Sequence, residues 1–177
     1  KMMEIERREE AMKKVEGVTL DRIIQSLRKE EPEATQRWTR TRLLRAFVQV
    51  CNGMAYAHER SVLHRDLKPA NIMVGAFGEV LVLDWGLGRL MGGADDAVCD
   101  QALSFSGVDL GSTVDGTVKG TPGYMSPEAV DGRLSDLRPS SDVFCLGLIL
   151  YELLTMKPAF EGRRTTTLLI ATTRGVK

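Results

Sequence analysis

The sequence predicts a mainly α-helical fold with one small β-hairpin element, on three observations. Apolar residues recur every three or four positions through a long stretch, residues 39–60. Short β-type runs separated by turn residues follow it. A second apolar stretch, from Val143 to Leu154, is hydrophobic on nearly every side and reads as a buried helix.

In chain order, KMMEIERREEAMKK mixes short charge clusters with Met and Ile and reads as a solvated helix or a strand at the margin of a larger unit. In VEGVTLDRIIQSLRKEEPE a glycine turn precedes Thr19, which is placed to cap a helix carrying Leu20, Ile23, Ile24 and Leu27 and stopped near Pro32. The long pattern TRTRLLRAFVQVCNGMAYAHER directs Leu43, Leu44, Phe47, Val48, Cys51, Met54, Ala55 and His58 toward the core. VLH, NIMVG and VLVLDWG are β-type, with GAFGE as the turn of a hairpin between the last two. From Leu87 to Lys119 the chain is rich in Gly, Ser, Thr and Asp and has little periodicity. Structureless segments beyond about 12 to 15 residues in compact domains are usually functional or disordered, so this one reads as regulatory. In SSDVFCLGLILYELLTMKPAF, Ser141 or Asp142 opens the buried helix as its cap. EGRRTTTLLIATTRGVK adds at most one short helix.

Composition narrows the function classes. With 177 residues, 43% hydrophobic and 27% charged, the chain can bury one sizeable core or two small ones. Its 24 basic residues balance 24 acidic ones, so no global field draws in nucleic acid or an anionic membrane. Partners must be recognised locally. Cys51, Cys99 and Cys145 form no CxxC pair, and His58 and His64 are the only imidazoles, which argues against structural zinc and a disulfide framework. A reducing, cytoplasmic setting is expected. No apolar run reaches the roughly 18 residues of a membrane span, and the N-terminus has no apolar signal core. The chain begins with Lys1, so we expect a piece of a longer or processed product, whose parent can be membrane-anchored outside this segment.

LHRDLKPANIMV carries the chemistry. Asp66 and Asn71 stand five apart, and Asp84 ends a β-type run. Two carboxylates and an amide oxygen are hard donors that suit Mg²⁺, which completes its shell with waters and phosphate oxygens. Lys68 can neutralise a phosphoryl group while Asp66 accepts a proton from an incoming hydroxyl. A lone Asp or Asn in a loop is more often a cap or turn residue. The joint pattern decides between these readings. HRDLKPAN, then DWG, then GTPGYMSPE resembles, in order and spacing, the catalytic-loop, DFG and APE signatures of eukaryotic-type (Hanks-type) serine/threonine protein kinases. VEGVTL, KPANIMV and GTPGYMSPEAV look most like the bacterial branch, and the resemblance runs from about Met12 to Val176.

The resemblance implies the large C-terminal lobe of a protein kinase, with the small lobe and the last helices absent. Residues 1–16 would be a hinge-side remnant and 17–177 a partial lobe, with the catalytic loop at 63–74, the activation segment at 84–128 and the buried helix at 141–156. Asp66 would be the catalytic base, Lys68 would contact the transferring phosphoryl group, and Asn71 and Asp84 would hold Mg²⁺. Met12 would stand at the gatekeeper, Val15 would offer hinge backbone to adenine, and Met73 would floor its pocket. His64 and Trp85 would stack between the lobes, and Arg65 would pair with a phosphorylated activation loop. Ser104, Ser106, Ser112, Thr113 and Thr117 are candidate phosphorylation sites, with Thr113 and Thr117 favoured by position. Thr121 would contact Asp66 and help select a serine or threonine acceptor. Glu128 would pair with an arginine from a late helix, and Asp142 would steady the catalytic-loop backbone, although Phe144 replaces the usual tryptophan. The implied activity is transfer of the ATP γ-phosphoryl group to Ser or Thr hydroxyls of a protein substrate, negligible in this fragment alone. A truncated, non-catalytic homologue acting as an interaction module is the alternative. A metal-dependent hydrolase is a distant third, since it leaves GTPGYMSPE unexplained.

Overall fold

The computed structural model describes residues 16–85, 89–90, 121–160 and 172. Strand β1 (Val18–Thr19) runs straight into helix α1 (Leu20–Arg28). The Thr19 hydroxyl caps this helix by accepting from the Arg22 N–H at 3.4 Å, and Leu20, Ile23 and Ile24 are buried on one side, as their spacing predicts. Pro32 does not only end a pattern. It opens a second helix, α2 (Pro32–Arg37), because proline at a first helical position gives up no hydrogen bond.

Helix α3 (Arg40–Glu59) starts from Thr39, whose hydroxyl accepts from the Arg42 N–H at 3.3 Å. Its buried stripe is Leu43, Ala46, Val50, Met54 and Ala57. Phe47 and Cys51 pack against the core, but Val48 is 55% exposed and Ala55 is exposed as well, so the true face is rotated from the expected one. It runs in steps of three and four through two alanines, which a search for large apolar side chains passes over.

Beyond α3 lie β2 (Val62–Leu63), then β3 (Ile72–Val74) and β4 (Val80–Val82), which form the expected antiparallel hairpin with Met73 opposite Leu81. The GAFGE turn closes through Gly75 N–H donating to the Glu79 carbonyl at 2.9 Å, with Gly78 at φ 90°. Strand β1 joins the other side of β3, Val18 opposite Val74. This approach needs Gly17, since a Cβ there would lie 2.7 Å from Met73 Cγ and 2.8 Å from the Val74 carbonyl oxygen. Strand β5 (Arg89–Leu90) pairs antiparallel with β2, so the stretch from Leu87 contributes one strand at its start.

Helix α4 (Pro127–Val130) precedes α5 (Pro139–Thr155). Neither Ser141 nor Asp142 is the cap of α5. Arg138 is, its N–H donating to Ser141 Oγ at 3.1 Å, and Pro139 takes the first helical position. Nor is α5 buried all round: Val143, Tyr151 and Leu154 are 56, 43 and 42% exposed on one side, while Leu146, Ile149 and Leu153 are buried on the other. One core joins Leu20, Ile23 and Ile24 of α1 to Val50 and Met54 of α3 and to Ile149 and Leu153 of α5. Leu67 and Ile72, both 0% exposed, sit in the same core and anchor the two ends of the polar loop between them. Burying such side chains stabilises by about 1.5 to 3 kcal/mol each, so that loop is held to a rigid base.

Candidate active site

The loop that follows β2 takes an unfavourable backbone path. Arg65 has φ 71°, a left-handed conformation that costs of order 1–3 kcal/mol outside glycine. Asp142, from the first turn of α5, holds it there: Oδ1 accepts the Arg65 N–H at 3.0 Å and Oδ2 accepts the His64 N–H at 2.9 Å. His58 of α3 reaches the same Oδ2 with its Nε2 at 2.8 Å. His64 is 0% exposed and fixed in one neutral tautomer. Its Nδ1 accepts from the Asp66 N–H at 3.3 Å, so the proton lies on Nε2, which donates to the Leu83 carbonyl at 3.0 Å. The Trp85 ring lies 4.7 Å from the His64 ring at an interplanar angle of 57°, a tilted contact and not a parallel stack. Trp85 also donates its indole N–H to the Val82 carbonyl at 3.0 Å.

Asp66 is the centre of a polar cluster. Lys68 Nζ lies 2.6 Å from its Oδ2, and Asn71 Nδ2 donates to the same oxygen at 3.2 Å and to the Asp66 carbonyl at 2.9 Å. The Thr121 hydroxyl donates to Oδ1 at 2.9 Å and accepts from Lys68 Nζ at 2.6 Å. One carboxylate thus faces a cation, an amide and a hydroxyl 55 residues further along the chain. With Asp66 9% and Asn71 7% exposed, these bonds act at low local dielectric, where charge-assisted hydrogen bonds are strongest.

Asp84 follows β4, exposed and at φ 60°. The Leu83 N–H donates to the Asn71 carbonyl at 2.8 Å, which brings the backbones of Asn71 and Asp84 to one end of the hairpin. Because Nδ2 of Asn71 is committed to Asp66, the amide offers its oxygen elsewhere. That oxygen and the Asp84 carboxylate are the hard donors Mg²⁺ takes beside phosphate oxygens and waters, so the residues fit such an ion. Among the described residues no cluster of three or more His, Cys, Asp or Glu could cage a metal by itself. Met73 is half-buried on β3. Met12, Val15, Ser104, Ser106, Ser112, Thr113 and Thr117 lie outside the described residues.

Glu128 finds a partner within the described residues, and no arginine of a late helix lies among them to pair with it. Its carboxylate accepts from the Ser141 hydroxyl. Burial pushes its carboxyl upward, but hydrogen bonds from Ser141, its own backbone and Ser126 outweigh this, and the group ends below its ordinary value. A second network escaped sequence reasoning. Tyr124 donates to buried Glu152 of α5, which pairs with Arg28 of α1 at 2.6 Å, and Arg28 Nε reaches the Met156 carbonyl at 2.7 Å. Burial and then Glu152 drive the Tyr124 phenol strongly upward, so it remains a donor. This network ties the GTPGYMSPE segment to two helices. Its only signal in the sequence was charged or hydroxyl residues inside apolar patterns.

Fold and site together define a helical domain in which an Asp-Lys-Asn loop is locked to a buried helix and crossed by a threonine from a later segment. The family model of the protein kinase domain matches residues 9–176, and the chain belongs to that family. Among curated relatives, serine/threonine-protein kinase PknD of Protochlamydia amoebophila (strain UWE25) is 39% identical over 155 residues, covering 83% of this chain and 15% of that protein. PknD of Chlamydia abortus is 36% identical over 157 residues, 85% of this chain and 16% of that protein. PknD of Chlamydia caviae is 37% identical with the same coverage. The chain therefore spans only 15 to 16% of the length of these relatives.

Proposed function

We propose that this chain is the catalytic-loop-bearing part of the C-terminal lobe of a serine/threonine protein kinase, and that the whole protein transfers the ATP γ-phosphoryl group to Ser or Thr hydroxyls. The observation that carries this reading is the Asp66 cluster: a carboxylate held by Lys68, Asn71 and Thr121. In this reading an acceptor hydroxyl donates to Asp66, which takes its proton, while the Lys68 ammonium neutralises charge on the phosphoryl group. Asn71 and Asp84 would hold Mg²⁺, which supplies charge neutralisation on the nucleotide phosphates. Thr121 bonds Asp66 through a hydroxyl of the same kind as a Ser or Thr acceptor, and so supports that acceptor class.

The 177 residues contain no GxGxxG loop and no VAIK-type lysine. Phosphoryl transfer depends almost wholly on positioning and charge stabilisation, so the chain by itself should transfer negligible phosphate. The test incubates this chain, and the protein extended upstream, with Mg²⁺, ATP and a Ser/Thr peptide, each beside an Asp66→Asn variant. We expect activity only in the extended protein and a loss of about 10²-fold or more in its Asp66→Asn variant. Activity indifferent to Asp66→Asn overturns the assignment. An extended protein as inactive as its variant points to the non-catalytic module.

A further inference from the structure

The start of α3 carries a concentration of charge that the site does not use. Arg37, Arg40, Arg42 and Arg45 fall within nine residues, and no Asp or Glu occurs from residue 34 to residue 58. Among the described residues none of the four has a carboxylate partner. Arg40 and Arg42 also stand at the wrong end of α3, whereas Arg37 closes α2. The first turn of α3 holds no acidic residue, and arginines there oppose the positive pole of the macrodipole. An arrangement that costs α3 stability would be offset by an anionic ligand.

The surroundings are shaped and held. Arg42 and Arg45 line a cleft of about 390 Å³ with Thr41, Gln49 and Phe77. Phe77, at the tip of the β3–β4 turn, is 99% exposed. Gln49 Nε2 donates to the Gly78 carbonyl at 3.0 Å, which fixes that turn against α3. The adjacent carboxylate, Glu79, accepts the Phe77 N–H at 3.0 Å and, among the described residues, makes no ion pair with the arginines. Arg42 is set in place by its guanidinium lying 4.6 Å over the Trp38 ring, with Arg37 at 5.2 Å.

We propose that this cleft is a docking site for an acidic peptide segment of a partner protein, its carboxylates meeting Arg42 and Arg45 and an apolar side chain resting on Phe77. The argument for this occupant is charge complementarity. Arginines spread from the end of α2 through the first two turns of α3 match several spaced carboxylates better than one phosphate, and a single exposed ring matches one apolar residue better than a lipid surface. The site lies away from Asp66, so its occupation can recruit a partner without touching the polar cluster.

The test needs neither nucleotide nor catalysis, so it stands or falls separately from the kinase reading. A short fluorescein-labelled peptide of Asp and Glu around a central Leu is titrated into the chain and followed by anisotropy. Comparators are its Asn/Gln counterpart, an otherwise uncharged phosphoserine peptide and phosphatidylserine vesicles. We expect the acidic peptide to bind in a salt-sensitive manner, Arg45→Glu to weaken it about tenfold, Phe77→Ser to weaken it severalfold, and Arg22→Glu on α1 to leave it unchanged. Arg45 and Phe77 are exposed and carry little of the fold, and circular dichroism checks that both variants are folded. Equal loss with Arg22→Glu, equal binding of the Asn/Gln peptide, or binding of only the phosphoserine peptide or the vesicles each overturns the proposal.

Discussion

Asp142 is 1% exposed and its carboxylate faces three donors: the His64 and Arg65 backbone N–H groups and the His58 ring. Removing it leaves buried donors without partners and takes the Asp142 bond from the strained Arg65 backbone, the two conditions that make a single substitution expensive. Asp142→Ala should lower the unfolding free energy by about 3 kcal/mol in urea titration, and a loss below about 1 kcal/mol would mean the loop holds itself. The sequence shows only some of these contacts. Asp66, Lys68 and Asn71 are legible together because they lie within five positions, where one local motif dictates their geometry. His58 and Asp142 are 84 residues apart, and in isolation each reads as a helix residue with no reason to meet the other. Glu128 shows the converse: a partner was expected from outside the chain's helices, yet a serine 13 positions away supplies the bond.

Ser141 closes the first turn of α5 in two directions, accepting from the Arg138 N–H and donating to Glu128 of α4. Ser141→Ala should therefore cost about 1 kcal/mol for the lost bond to the Arg138 N–H, plus the Glu128 contribution. The second part depends on pH. Glu128 has a folded-state pKa depressed below its ordinary 4.5, so its contribution is fully present above that value and is lost as pH falls through the lower folded value. The stability gap between wild type and Ser141→Ala should be widest near neutrality and narrow on acidification below 4.5, read from urea midpoints. A gap that does not change with pH would remove the Ser141–Glu128 bond from the balance. The helices were legible at this scale because caps and periodicity are local signals, as Thr19 and Thr39 show. The two-residue strands β1, β2 and β5 were hidden in part, since β1 and β5 exist by pairing with partners distant in sequence. Helix α2 was missed because proline marks helix starts as well as stops.

Across the whole molecule, α5 is the element whose environment the sequence describes least well. An all-round apolar helix calls for neighbours on every side, yet Val143, Tyr151 and Leu154 share an exposed face with Gly147 between them. The family was legible because three short motifs stand in a fixed order. What surrounds the domain was not, because burial of one helix depends on elements that need not lie near it in the chain. The face presents three apolar side chains together at the surface. The isolated chain should bind the dye ANS at this face. A Val143→Ser, Leu154→Ser double variant should bind less dye while its unfolding free energy changes by no more than about 1 kcal/mol, since exposed side chains contribute little to the fold. Unchanged dye binding would place the apolar surface elsewhere, and a loss of more than about 2 kcal/mol would show that this face of α5 is already covered within the chain.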